Sequence, residues 1–151
     1  MTATEAESLS ALYLSDETAW LEAMANAIAN EDWSELDCDN LREYLTDMAL
    51  RDRKEVLSRL IILISHHLKW QFQPIKESKS WRLTIAEQRR ALAADFKSKT
   101  LRNYAESALA EAYAAAVEQA AIQTGLPESA FPARSKLTAR EWMELPVPDA
   151  N

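Results

Sequence analysis

Glycine is nearly missing from this chain of 151 residues: Gly125 is the only one, and the five prolines all stand at or beyond Pro74. Sheet proteins need many tight turns and the residues that make them, so this scarcity argues against a β or mixed fold and for long helices joined by few loops. Cys38 is the single cysteine, which excludes an internal disulfide and a zinc site built from cysteines. Long apolar runs are missing too. The longest, Leu60 to Ile64, is far too short to cross a bilayer. The first residues, Met1-Thr-Ala-Thr-Glu, have no basic start leading into an apolar stretch, so the expectation is a cytoplasmic protein with no membrane association. Catalytic signatures are equally scarce. The chain holds no phosphate-cradling glycine loop, no Gly-x-Ser-x-Gly, no His-Glu-x-x-His and no Cys/His cluster.

What is present is an ordinary globular balance, 48% hydrophobic and 27% charged, in a chain long enough for one domain with a real core. The net charge of −7 is unevenly spread. Residues 1–50 carry twelve acids and only Arg42 as a base, residues 51–104 thirteen bases and five acids, and residues 105–151 seven acids and three bases. The basic middle has two readings: it offsets the acidic entry segment, or it meets an anionic partner. An acidic protein repels nucleic acid from most of its surface, which favours the first.

Apolar spacing predicts the helices. One starts at Ser15 or Asp16 and runs to about Ala29, with Trp20, Met24, Ala27 and Ile28 on one stripe. An acidic connector follows, in which Trp33 and Leu36 are expected to be pinned against the bundle. Asn40 and Glu43 have capping-pair spacing, and a helical pattern continues from there to Gln73. Its early stripe is Leu41, Leu45, Met48; later stripes hold Val56, Leu60, Leu63, His67 and Trp70, and beside them Leu57, Ile61, Ile64 and Leu68. The buried face rotates across Arg51-Asp-Arg-Lys-Glu, so a kink or a change of packing partner is expected near residues 49–54. Residues 74–79 read as a loop opened by Pro74, with Ser80 or Thr84 starting the next helix. Ser98 or Thr100 starts a last long helix that stops at Gly125, with Pro127 just beyond. Nine alanines lie between Ala105 and Ala121 and let neighbouring backbones come close. Thr138 and Glu141 form a capping box for a short terminal helix. The expectation is a single all-α domain over 1–151, a bundle of four to five main helices with a long central one and a short C-terminal one, frayed over 1–14 and 146–151.

Two constellations are candidates for chemistry. His66 shares a polar stripe with Arg59, Lys69 and Gln73, and Glu55 stands four residues before Arg59. The stripe is either a solvated face or a site in which His66 exchanges protons while Arg59 and Lys69 hold an anion. His67, on an apolar stripe, reads as a core histidine hydrogen-bonded to a neighbour. No second histidine or carboxylate stands at i+3 or i+4 from His66, so no metal and no cofactor is expected. The second constellation flanks the short turn: Lys69 and Trp70 before it, Trp81 and Arg82 after it. Aromatic faces among cations suit unpaired bases or phosphates. They also suit a clamp between antiparallel helices with Lys69 or Arg82 on a ring, and the continuation of apolar stripes by both tryptophans favours the clamp.

Several segments carry a resemblance. They are Asp16-x-x-x-Trp20, Trp33-x-Glu-Leu-Asp37, Asn40-Leu-x-Glu43, Arg59-Leu leading to His66-x-Leu-Lys-Trp-Gln71, Ser80-Trp81-Arg82, Glu87-Gln-Arg89, the alanine-rich helix with Tyr113, Thr124-Gly-Leu-Pro127 and Phe131-Pro132. Together they resemble the bacterial family known as domain of unknown function 29, over about Leu9 to Leu145. The resemblance implies an all-helical domain and brings no activity, cofactor or catalytic residue. It places Glu43, Arg59, His66, Lys69, Trp70, Trp81 and Arg82 in the family pattern. His67 stands where the pattern has an apolar residue, and Leu50 where a polar one is common.

The expected function is therefore a binding or protein-interaction module, with a protein partner or self-association as a homodimer. The alternative is a metal-independent ribonuclease or nucleic-acid-binding domain, with Arg59, His66 and Glu43 as candidate catalytic residues and Lys69, Trp70, Trp81, Arg82 and Arg89 as candidate binding residues. Arg59 and His66 have a spacing similar to the Arg/His pair of helical nucleotide-binding ribonucleases.

Overall fold

A computed structural model describes residues 3–73 and 79–148, with side chains from residue 9 onward. The proline-opened loop expected at 74–79 lies, up to residue 78, outside the described residues. Seven α-helices and no strand are found among the described residues, so the chain is all-α. None of these helices is long and apolar enough to cross a membrane. The residues fall into two compact units that meet in sequence between Leu50 and Arg51.

The first unit holds α1 (Ala3–Ser15), α2 (Glu17–Ala29) and the opening of α3 (Cys38–Phe72). Sequence periodicity does not mark α1. The start of α2 was legible: the Asp16 carboxylate accepts from the Ala19 amide at 3.1 Å, as a helix cap should. Trp20 is wholly buried, packed on Tyr13 and Tyr44 with ring centres 4.6 and 5.9 Å away. Its indole N–H donates to Asp37 at 3.1 Å, so the largest core side chain leaves no polar atom stranded. Asp37 also accepts from the Asn40 side chain at 2.8 Å. Asn40 thus lies inside α3, which begins two residues before the capping pair predicted from sequence. Glu31 closes α2 with φ +57, a left-handed conformation unusual outside glycine. Trp33 sits in a 3-10 turn (Trp33–Glu35) and is 59% exposed. It is not pinned to the core as the sequence led us to expect.

The second unit begins with the remainder of α3 and adds α4 (Lys79–Asp95), α5 (Lys99–Ser107), α6 (Leu109–Thr124) and α7 (Ala139–Glu144). The isoleucine-rich stretch is helical, as its flanking spacing predicts. Val56, Leu60, Leu63, Ile64 and Leu68 are buried on it against Ile85 and Leu92 of α4. Each such side chain contributes about 1.5–3 kcal/mol by leaving water. Helix α3 runs unbroken through the charged stretch. The rotation of its buried face falls at the boundary between the units, which fits a change of packing partner.

The last long helix expected from sequence is two helices. Ser98 caps α5 by accepting from the Leu101 amide at 3.2 Å, but regularity lapses at Ala108. There the Tyr104 carbonyl accepts from both the Ser107 hydroxyl at 2.8 Å and the Ala108 amide at 2.9 Å. Ala112, Ala116 and Ala120 are fully buried on one face of α6. Gly125 ends α6 at φ +75. Thr138 and Glu141 form the expected reciprocal cap of α7. The Glu106 carboxylate accepts from the Ala139 and Arg140 amides at 3.1 and 2.9 Å, a negative group at the positive end of that helix.

Candidate functional site

The second half of α3 presents the candidate polar stripe, and its members meet different partners. Arg59 donates to Glu55 one turn earlier at 3.1 Å and to the Gln88 side chain of α4 at 3.4 Å. Its Nε also stands 3.7 Å from Asp95 Oδ2, at the end of α4. Both of those atoms are buried without a hydrogen bond among the described residues, so the pair is held by charge rather than by direct bonding. Burial raises the Asp95 pKa, and the Arg59 charge opposes that rise. This guanidinium bridges α3 to both a polar and an acidic side chain of α4.

Seven residues on from Arg59, His66 turns back onto its own helix. Its Nδ1 lies 2.8 Å from the Ile62 carbonyl oxygen, which fixes that nitrogen as the donor. Burial lowers the His66 pKa, the Ile62 contact opposes the shift, and the charge of Lys69 adds to the lowering. A neutral ring at pH 7 follows.

Lys69 is buried, with 3% of its surface exposed. Its ammonium donates to the Gln123 side chain of α6 and lies 4.7 Å from the centre of the Trp81 ring of α4. An isolated buried ammonium would be costly. Here an amide oxygen and an aromatic face replace the lost water, while burial still lowers the Lys69 pKa. The cation thus lies on a ring between α3 and α4, one element of the clamp read from sequence. Trp70 beside it is half-buried. Arg82 and Arg89, seven residues apart and so on one face of α4, donate through Nε to the Pro148 and Met143 carbonyls at 2.8 and 3.0 Å. They tie the C-terminal segment down.

A family model described as "Domain of unknown function DUF29" matches residues 12–145. The chain belongs to the DUF29 family. No curated protein and no solved structure matches it.

Within the second unit of this DUF29 chain, the described contacts of the candidate residues fall into separate nodes. Arg59 makes one polar node with Glu55, Gln88 and Asp95; Lys69 and Trp81 make another with Gln123. Glu43 belongs to the first unit, where it lines an open depression with Asp39, Arg42 and Asp47. His67 is buried as its stripe predicts, yet its Nε2 has no hydrogen-bond partner among the described residues. Its ring instead packs on Trp142, 6.0 Å between centres. Burial lowers its pKa to about 4, helped by the positive Arg89. No group of three or more His, Cys, Asp or Glu among the described residues is placed to hold a metal. Gln88, Asp95 and Gln123 were not among the candidate site residues read from the sequence. Glutamine and aspartate on exposed-looking helix positions give no local signal, and the bond from Lys69 to Gln123 spans 54 residues.

Proposed function

We propose that this DUF29 domain is a protein-interaction module whose first unit receives a basic, amphipathic segment of another chain. The observation that carries the proposal is an acidic unit with uncovered apolar side chains. Leu45, on the early stripe of α3, is 60% exposed, and Leu14, Ile28, Trp33 and Leu50 are exposed on the same unit. Single exposed leucines are ordinary, but five exposed large apolar side chains on a fifty-residue unit with twelve acids and one base suit a partner that offers both apolar and basic groups. Asp39, Glu43 and Asp47 are exposed on the helix that carries Leu45 and Leu50, and they supply the charge to be matched. Two copies meeting through this unit would oppose like charges, so a different, basic chain is the better partner. The prior engagement of Arg59, His66 and Lys69 by their own neighbours supports binding over catalysis.

The test uses a synthetic leucine/lysine amphipathic helical peptide and its leucine/glutamate counterpart. Calorimetry should show the basic peptide binding and the acidic one not. Affinity should fall as salt rises, and by at least tenfold in the Leu45→Ser/Leu50→Ser double variant. Equal binding by that variant, or a stable dimer in light scattering that excludes the peptide, would defeat the proposal.

A further inference from the structure

The second unit carries a cavity of about 230 Å³ whose lining includes none of the candidate site residues named above. Its walls include Leu68 of α3, Tyr113 of α6, and Leu137 and Trp142 at and beside the start of α7. Three of these are buried, and the polar atoms of the aromatic pair are already committed. The Tyr113 hydroxyl donates to the Pro132 carbonyl at 2.6 Å. The Trp142 indole N–H donates to the Ser135 hydroxyl at 2.8 Å. Apart from the exposed Gln71 amide, which also lines the cavity, what the walls offer a guest is therefore carbon.

The mouth is different. Arg134 and Lys136 also line the cavity and are exposed. They flank Ser135, whose hydroxyl donates to the Leu137 carbonyl at 2.6 Å and accepts from the Leu137 amide at 3.2 Å as well as from Trp142. Three bonds on one hydroxyl fix the backbone that carries both cations. No acidic residue lines the cavity, and neither cation forms an ion pair among the described residues. An apolar pocket with a few convergent polar groups is the usual form of a small-molecule site. Here the charged groups, Arg134 and Lys136, carry one sign, and Gln71 adds a neutral amide.

We infer that this cavity binds a small carboxylate with an aromatic body. The ring enters between Leu68, Tyr113 and Trp142, and the carboxylate stays at the mouth with Arg134, whose planar fork matches it, and Lys136. The volume holds a body of about the size of an indole and excludes a folded macromolecule. This site is independent of the interaction surface on the first unit.

The test is calorimetric titration with indole-3-acetate, beside 3-methylindole as the uncharged analogue and tryptamine as the cationic one. Binding by indole-3-acetate with a Kd below about 1 mM is expected, at least tenfold tighter than either analogue. The indole N–H resonance of Trp142 should shift on titration. Arg134→Gln/Lys136→Gln should weaken indole-3-acetate at least tenfold without changing the circular dichroism, since both side chains are exposed. The single variants serve if the double one fails to fold, each with a loss of about threefold. Three results would each overturn the assignment: no binding of indole-3-acetate, equal binding of 3-methylindole, or unchanged affinity in the charge variants.

Discussion

The Lys69 ammonium stands 4.7 Å from the centre of the Trp81 ring, and the same ammonium donates to Gln123. One cation thereby joins α3, α4 and α6. A lysine beside a tryptophan reads in sequence as a surface group for anions; folded, it is a buried tie between helices.

The first prediction concerns that tie. Lys69→Met keeps an unbranched apolar stem and removes the charge, and Gln123 is exposed, so its oxygen can turn to water. Replacing a buried charge by an apolar group of similar shape is close to neutral, so a change within about 1 kcal/mol is expected. Lys69→Ala also removes the stem and should cost about 2–3 kcal/mol. Urea unfolding followed by circular dichroism compares the two; a reversed order would show that the charge, not the stem, holds the helices.

Trp20 is the corresponding keystone of the first unit. Trp20→Ala should cost about 3–5 kcal/mol through cavity formation. Asp37→Ala, which removes the acceptor of the indole and of Asn40, should cost about 1–2 kcal/mol. Thermal unfolding checks both, and an Asp37 variant as damaging as the tryptophan deletion would contradict this ordering.

His67 predicts a pH dependence. Its pKa is lowered in the folded chain from 6.5 to about 4, so between those values the unfolded state binds more protons. Stability is then fully present above about pH 6.5 and is lost as pH falls toward 4, by up to about 3 kcal/mol. His67→Phe keeps a ring against Trp142 and removes the titration. Unfolding free energies at pH 7.5 and 5 should differ less in the variant than in the parent chain; identical slopes would remove His67 as the cause.

Gly125 offers a backbone test. A methyl group built at this position meets nothing within 4 Å, so any penalty for Gly125→Ala comes from the left-handed conformation alone. A loss of about 1–2 kcal/mol is expected, and a smaller one for Gly125→Asn, which tolerates that region better. Equal stability of the parent and the alanine variant would mean that the turn relaxes to another conformation.

Much of the fold was legible before any coordinates. Asp16, Ser98, Gly125 and the Thr138/Glu141 pair sit where their side chains or lack of one satisfy helix ends, and each does so in the structure. The misread positions share a cause. The exposure of Trp33, the helical form of α1 and the lapse at Ala108 leave no mark on the apolar spacing.

The candidate site was less legible. The Arg59–Glu55 contact follows from a four-residue step along one helix, and the sequence displays it. The Arg59–Asp95, Lys69–Gln123 and Trp142–Ser135 contacts do not follow from any such step, and the cavity beside Arg134 and Lys136 left no periodic trace.

Amino-acid order alone determined that this chain is helical, where most helices begin and stop, and which stripes are apolar, because those outcomes rest on hydrogen bonds and side-chain spacing within a few residues. Tertiary structure alone decided that Lys69 is buried, that Arg82 and Arg89 hold the C-terminal segment, and that two cations stand at the mouth of an apolar cavity. Those outcomes depend on how helices from distant parts of the chain register against one another, and burial changes what a charge can do only once that register exists.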